Sequence, residues 1–193
     1  TKNDHFQDML NKAKQRGFEP HCVLFDSWYS SMENLKLVTR LQWHFLTRLK
    51  SNRLVKQDGA DYVAVSEVDV PEDGCQVHLR GYGPIKLFKV MHLEKEPEFW
   101  ATDVLSMDLD QRSELRKISW KIEEFHRGVK QFCGIERCQA RKSQSQCSHI
   151  LLSICSFLMF ERARLDLGVS WYEFKMRIHR KAVANFIENP SCL

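Results

Sequence analysis

No apolar run in this sequence of 193 residues is long enough to cross a bilayer. The longest, around Ile150 to Phe160, is interrupted by Ser153, Cys155 and Ser156, whereas a spanning helix needs about 20 consecutive apolar residues. A membrane role is therefore not expected. A disulfide framework is missing too: seven cysteines at irregular spacing leave an odd thiol and read as reduced residues of a cytoplasmic protein. Nothing resembling a targeting signal precedes the first helical pattern; the chain opens at Thr1 without methionine, and we expect it to be trimmed or truncated at the front. Charge of one sign is not in excess either. Lys plus Arg number 29 against 25 for Asp plus Glu, a net charge of +4, which permits a nucleic-acid partner without demanding one. There is no internal repeat and no low-complexity segment. With 43% hydrophobic residues, one domain with a real core and room for a small insertion is expected.

Phe6, Met9, Leu10 and Ala13 recur at helical spacing, and Gly17 stands where a helix would end. The run Cys22-Val23-Leu24-Phe25, between Pro20 and Asp26, is too short for a buried helix and predicts a buried strand ending at the acid. Ser30 with Glu33 makes a capping-box pattern ahead of a helix whose apolar face is Met32, Leu35 and Val38. A second strand follows at His44 to Leu49. Helix, strand, helix and strand with short joins predict an α/β fold with a parallel sheet.

From Leu54 to about Val104 the texture changes. Strand-like segments at Tyr62 to Val65, Gln76 to Leu79, Ile85 to Val90 and Phe99 to Thr102 are punctuated by the turns Pro71 to Gly74 and Gly81 to Pro84. This is expected to be an antiparallel β insertion packed beside the sheet. After Asp110 the chain reads as helical to its end. Ile118, Ile122, Phe125, Val129 and Phe132 mark one helix, Ser148 to Arg164 a largely buried second, and Trp171, Phe174, Ile178 and Phe186 a third.

On a wheel advancing about 100° per residue, Glu123 and Lys130 fall within roughly 20° of each other on one polar flank, with Arg127 close by. Glu124 falls on the opposite flank. A carboxylate able to hold a divalent metal, with cations one and two turns away, suits phosphodiester chemistry; a solvated face with ordinary ion pairing accounts for the same residues. Asp26 adds a second acid at the carboxyl end of a strand, where open α/β sheets gather ligands, or alternatively a capping aspartate. One acid at a strand end and one on a following helix describe part of the metal cage of ribonuclease-H-like folds.

The run Trp120-Lys121-Ile122-Glu123-Glu124-Phe125-His126-Arg127-Gly128-Val129-Lys130 resembles the signature helix of the DDE transposases of bacterial insertion sequences, in the subgroup with the pattern Y-x2-R-x3-E-x6-K. Phe25-Asp26-Ser27-Trp28-Tyr29-Ser30 is similar to the segment bearing that family's second catalytic aspartate. The resemblance implies that Asp26 and Glu123 are catalytic, metal-binding acids for Mg²⁺ or Mn²⁺. It also implies that Lys130 contacts DNA near the cleaved end. The pattern's tyrosine and arginine fall on Arg116 and Ser119, so those two roles do not transfer. Arg116 nevertheless lies on the Glu123 flank and is a candidate phosphate contact. The family's first aspartate lies on an earlier strand, and no acid of this sequence fills that role.

The implied fold is a ribonuclease-H-like α/β fold, truncated at its N-terminus. Residues 1–53 would be a partial core, 54–104 the antiparallel β insertion, and 105–193 the helical completion, with the signature helix at 112–132. The implied parent activity is metal-dependent cleavage and strand transfer of double-stranded DNA at transposon ends, by a prokaryotic cytoplasmic protein that is nucleoid-associated when bound. A homodimer in a DNA complex fits that activity. Without the first aspartate this chain alone is expected to be inactive. A DNA- or partner-binding remnant and another ribonuclease-H-like nuclease are the alternatives.

Lys50, Asn52 and Arg53 follow the second strand at the same sheet end as Asp26, as phosphate contacts or as a solvated basic loop. Lys86, Lys89 and Tyr82 suit a DNA-contacting strand or a charged edge. Cys133, Cys138, Cys147 and His149 have loose zinc-like spacing, and packed free cysteines explain them more simply. His5, His21, His44 and His179 have no partner pattern.

Overall fold

The computed structural model describes residues 1–92 and 96–190, and the chain divides into two compact units, Thr1–Ser119 and Trp120–Leu193. In the first, a seven-stranded sheet runs in the order β1-β2-β7-β6-β5-β3-β4. Its strands are β1 (Cys22–Phe25), β2 (His44–Leu49), β3 (Leu54–Lys56), β4 (Val63–Ala64), β5 (Cys75–Leu79), β6 (Gly83–Val90) and β7 (Glu98–Thr102). Only β1 and β2 are parallel, with Phe25 opposite Thr47, and the other pairings are antiparallel. Among the described residues the outer edge of β1 has no strand partner.

The segment 54–104 therefore does not form a layer beside the sheet. It continues the sheet through the β2–β7 ladder, in which Leu46 faces Thr102 and Leu49 faces Phe99. Alternation along a strand reports which side chains are buried, but not which neighbour supplies the ladder.

Two helices, α1 (Lys2–Gln15) and α2 (Met32–Arg40), build the larger core with the sheet. Phe6 and Leu10 of α1 and Leu35 and Val38 of α2 meet Phe45, Leu49, Val77, Ile85, Leu87 and Phe99 from the strands. Successive strand residues point to opposite faces, so Leu46, Phe88 and Trp100 join Met107 in a second cluster, against which Leu109 and Leu115 pack. Thr1 caps α1 in a reciprocal box with Asp4. The cap of α2 is Ser31, one residue later than the sequence pattern suggests, and its hydroxyl accepts the Asn34 N–H. Ser30 is instead fully buried and donates to the Ser27 carbonyl. At the turn before β5, Gly74 has φ +74°, and a Cβ there would lie 2.6 Å from the Leu87 carbonyl oxygen, so only glycine fits.

A long helix, α3 (Leu109–Cys133), supplies its residues from Trp120 onward to the second unit, with α4 (Ser143–Leu167) and α5 (Trp171–Glu188). Aromatic rings hold this unit together: Phe125 meets Phe157 edge-on at 5.1 Å, Phe132 stacks on Phe160 at 5.4 Å, and Phe160 meets Phe174 at 4.8 Å. Gly128 lets α4 approach α3, because a Cβ there would come within 2.3 Å of the Phe157 ring. Glu161 ties α4 to α5 by accepting from both Arg164 and the Trp171 indole.

The expectation that Ser148 to Arg164 is largely buried is not met. Of α4 only Ser153 and Phe157 are buried, and Leu151, Leu152, Leu158 and Met159 are exposed. Its apolar residues run round the whole helix rather than along one stripe, and two neighbouring helices cover only one side of it. No helix among the described residues is long and apolar enough to cross a membrane.

Candidate active site

Asp26 stands immediately after β1, at the carboxyl end of the parallel pair. Its carboxylate is exposed, and Oδ1 accepts the Trp28 backbone N–H at 2.8 Å, while its carbonyl accepts the Tyr29 N–H at 3.1 Å. The buried Thr47 hydroxyl donates to the Phe25 carbonyl at 2.8 Å and lies 3.3 Å from that of Asp26. The loop after the acid is pinned from several sides. Asn34 donates to the Tyr29 carbonyl at 2.9 Å, Arg53 to the Ser30 carbonyl at 2.7 Å, and Tyr29 stacks on Phe6. Asp26 is thus a rigidly mounted acid with its second oxygen facing solvent.

Arg53, read as a phosphate contact, spends one guanidinium nitrogen on this loop. Lys50 stays exposed, with Nζ 5.7 Å from the Trp28 ring. Arg116 lies 3.9 Å from Glu98 and 6.0 Å from the Trp100 ring, so it belongs to an ion cluster on the sheet rather than to free solvent. Burial would raise the Glu98 carboxyl, but the Trp100 indole, Arg48 and Arg116 outweigh it and hold the group below its ordinary value.

In the second unit, Trp120, Glu123, His126, Arg127, Lys130 and Glu136 line a concavity of about 500 Å³. Glu123, Arg127 and Lys130 share one flank, as helical spacing requires. Glu124 is not part of that lining. Arg164 of α4 is raised above its ordinary value chiefly by its hydrogen bond to Glu161, with Glu124 only a small charge contribution. Lys130 Nζ pairs with Glu136 Oε1 at 2.8 Å, and that hydrogen bond, reinforced by the charges of Glu136 and Glu123, raises the Lys130 ammonium.

Glu136 is a residue that sequence reasoning missed. It reaches the groove because Gly134, at φ +65°, ends the helix and turns the chain back. His126 and Trp120 join the lining by their three-residue spacing from Glu123, a signal that was present in the sequence. His44, to which no partner was assigned, meets Asp103 at 2.8 Å, and that carboxylate also accepts the Phe45 N–H at 2.9 Å.

Carboxylate oxygens are the hard donors that Mg²⁺ and Mn²⁺ take, so Asp26 and Glu123 are each of the right type. Among the described residues, however, no three His, Cys, Asp or Glu gather closely enough to hold a metal ion. That includes the loose Cys/His set: Cys133, Cys138 and Cys147 are free, and His149 Nε2 lies 3.1 Å from the Gly134 carbonyl. Burial pushes the Cys22 thiol up to about 12 and raises that of Cys133, which disfavours the thiolate a metal would need.

Strand-end acid, helix-borne acid and flanking lysine occur in a mixed α/β chain whose residues 1–159 match the family model described as the transposase DDE domain. The chain belongs to that family, and its architecture is consistent with the ribonuclease-H-like transposase fold. No curated protein matches the sequence. Proteins of this family are transposases, which bind and recombine DNA and normally use a divalent metal.

Proposed function

We propose that this chain carries two of the metal-binding carboxylates of a transposase that cleaves and rejoins DNA at transposon ends, with Asp26 and Glu123 in that role. The observation that supports it most is the separation of two adjacent acids. Glu123 lines a groove with Arg127 and Lys130, whereas Glu124, its neighbour in sequence, is not part of that lining. When bound, a divalent ion would supply charge neutralisation and activation of water at the phosphodiester. Lys130 and Arg127 would hold phosphate oxygens beside Glu123. Lys50 would meet the backbone beside Asp26, and Arg53 would contribute mainly by fixing the Asp26 loop. Arg116, held by Glu98, would reach a phosphate only on leaving that cluster.

Two carboxylates hold Mg²⁺ weakly, because the ion gives up its waters reluctantly. We therefore infer that this polypeptide by itself binds DNA and does not nick it, which also covers its reading as a DNA-binding remnant. The test is scission of supercoiled plasmid with Mg²⁺ or Mn²⁺. The polypeptide alone should leave the plasmid intact. In any preparation of the protein that does cut, Asp26→Asn and Glu123→Gln should each abolish cutting while Glu124→Gln keeps most of it. Metal-dependent nicking by the polypeptide alone, or equal loss in the two glutamate variants, would refute the assignment.

A further inference from the structure

On the face of the sheet where α3 begins, Arg48, Trp100 and Phe88 are successive cross-strand neighbours on β2, β7 and β6. Arg112 and Arg116, one turn apart on α3, lie over this row. The Arg112 guanidinium carbon is 5.9 Å from the Phe88 ring and that of Arg116 is 6.0 Å from the Trp100 ring. Arg48 reaches the same indole, also at 6.0 Å. One carboxylate serves the group. Glu98 accepts from Arg48 at 3.0 Å and from the Trp100 indole N–H at 3.1 Å, with His92 Nε2 at 3.6 Å and Arg116 at 3.9 Å.

Donors outnumber acceptors here. Arg112 is 7% exposed, yet its Nε and Nη1 meet no acceptor among the described residues, and Nη2 has only the neutral Ser113 hydroxyl at 3.3 Å. His92 Nε2 is likewise buried without a hydrogen-bond partner. A buried charge without a partner is among the costliest features a fold can carry. Burial and the neighbouring Arg116 hold the Arg112 guanidinium below its ordinary value, and Glu98 offsets them only in part. Three guanidinium charges against one carboxylate leave an excess of two positive charges. The side chains of Arg48 and Arg116 are 40% and 42% exposed, so the cluster opens to water at those two residues while Arg112 lies beneath.

We propose that Arg48, Arg112 and Arg116 form a binding site for a small free oxyanion of the phosphate type. A guanidinium fork matches the oxygens of such an ion in pairs. Three forks, one from a strand and two from successive turns of a helix, suit a tetrahedral dianion whose charge equals the excess. A phosphate within a duplex carries a sugar on either side and stays at the surface, whereas an ion on Arg112 leaves water almost completely. The site therefore fits inorganic phosphate, and it is independent of the assignment of Asp26 and Glu123. Once bound, the ion ties the start of α3 to β2 and accepts the hydrogen bonds for which Arg112 has no partner within the chain.

The test is calorimetric titration with inorganic phosphate, together with thermal unfolding in which sodium phosphate replaces sodium chloride at constant ionic strength. The wild-type protein should bind one equivalent and unfold about 3 °C or more higher at ten times the dissociation constant. Arg112→Met should lose that shift, and in chloride it should unfold no lower than the wild type, because it removes a buried charge without a partner. Arg116→Gln, at a half-exposed position, should lose most of the shift and decides the matter should Arg112→Met not fold. A saturating DNA duplex should leave the phosphate titration unchanged. Equal unfolding of the wild type in phosphate and chloride, or a shift that persists in both variants, would overturn the proposal. Displacement of phosphate by the duplex would overturn it too, since the occupant would then be the DNA backbone.

Discussion

Lys130 and Glu136 close an ion pair of 2.8 Å across the turn that ends α3, so the lysine proposed to meet DNA is held by a carboxylate of its own chain. Both side chains are more than half exposed, and such pairs are weak and screened by salt. The pair is therefore a mild competitor of phosphate for Lys130. Glu136→Gln should tighten DNA binding about twofold to fivefold at low salt and have little effect at high salt. Lys130→Ala should weaken binding and reduce the salt slope by about one. A salt titration of both variants checks this, and an unchanged affinity in both would remove Lys130 from the interface.

Gly128 faces the Phe157 ring, which is itself hemmed in by Phe125 and Trp171. Gly128→Ala gains helix propensity of up to about 1 kcal/mol but forces a buried ring aside, for which overpacking costs of about 1–3 kcal/mol are usual. A net loss of about 1–2 kcal/mol in urea unfolding is expected. A gain in stability would mean that the α3–α4 contact yields freely.

Thr47 anchors the strand end that carries Asp26. Thr47→Val should cost about 1 kcal/mol through the lost hydrogen bond to the Phe25 carbonyl, while Thr47→Ser should restore most of it. The same variant should loosen the Asp26 loop, read as faster amide exchange at Trp28 and Tyr29. Unchanged exchange in Thr47→Val would show that the Asn34 and Arg53 bonds hold the loop unaided.

The strand carrying Asp26 and the one beside it were legible to the residue, because a short apolar run stopped by an acid has few other outcomes in an α/β chain. Helical spacing alone also separates Glu123 from Glu124, since two neighbours on a helix point about 100° apart. Partnership was less legible. Leu54 to Lys56 is only three residues long, so β3 carried no periodic signal. Alternation in Phe99 to Thr102 identified a strand without revealing that it pairs with β2. Removing 54–104 would thus delete β7 and the buried Phe99, Trp100 and Ala101 with it, and would unfold the sheet rather than trim an appendage. Glu136 was invisible because only the turn at Gly134 brings it back to Lys130.

The assignment of Asp26 and Glu123 as metal-binding acids is tested most directly by Mn²⁺ titration of the protein, read from the electron paramagnetic resonance signal of the free ion. The wild-type protein and Glu124→Gln should deplete that signal alike, while Asp26→Asn and Glu123→Gln should each lose most of the binding. If Glu124→Gln loses as much as Glu123→Gln, or if Asp26→Asn binds Mn²⁺ like the wild type, the two acids are not the pair that the chain offers to metal.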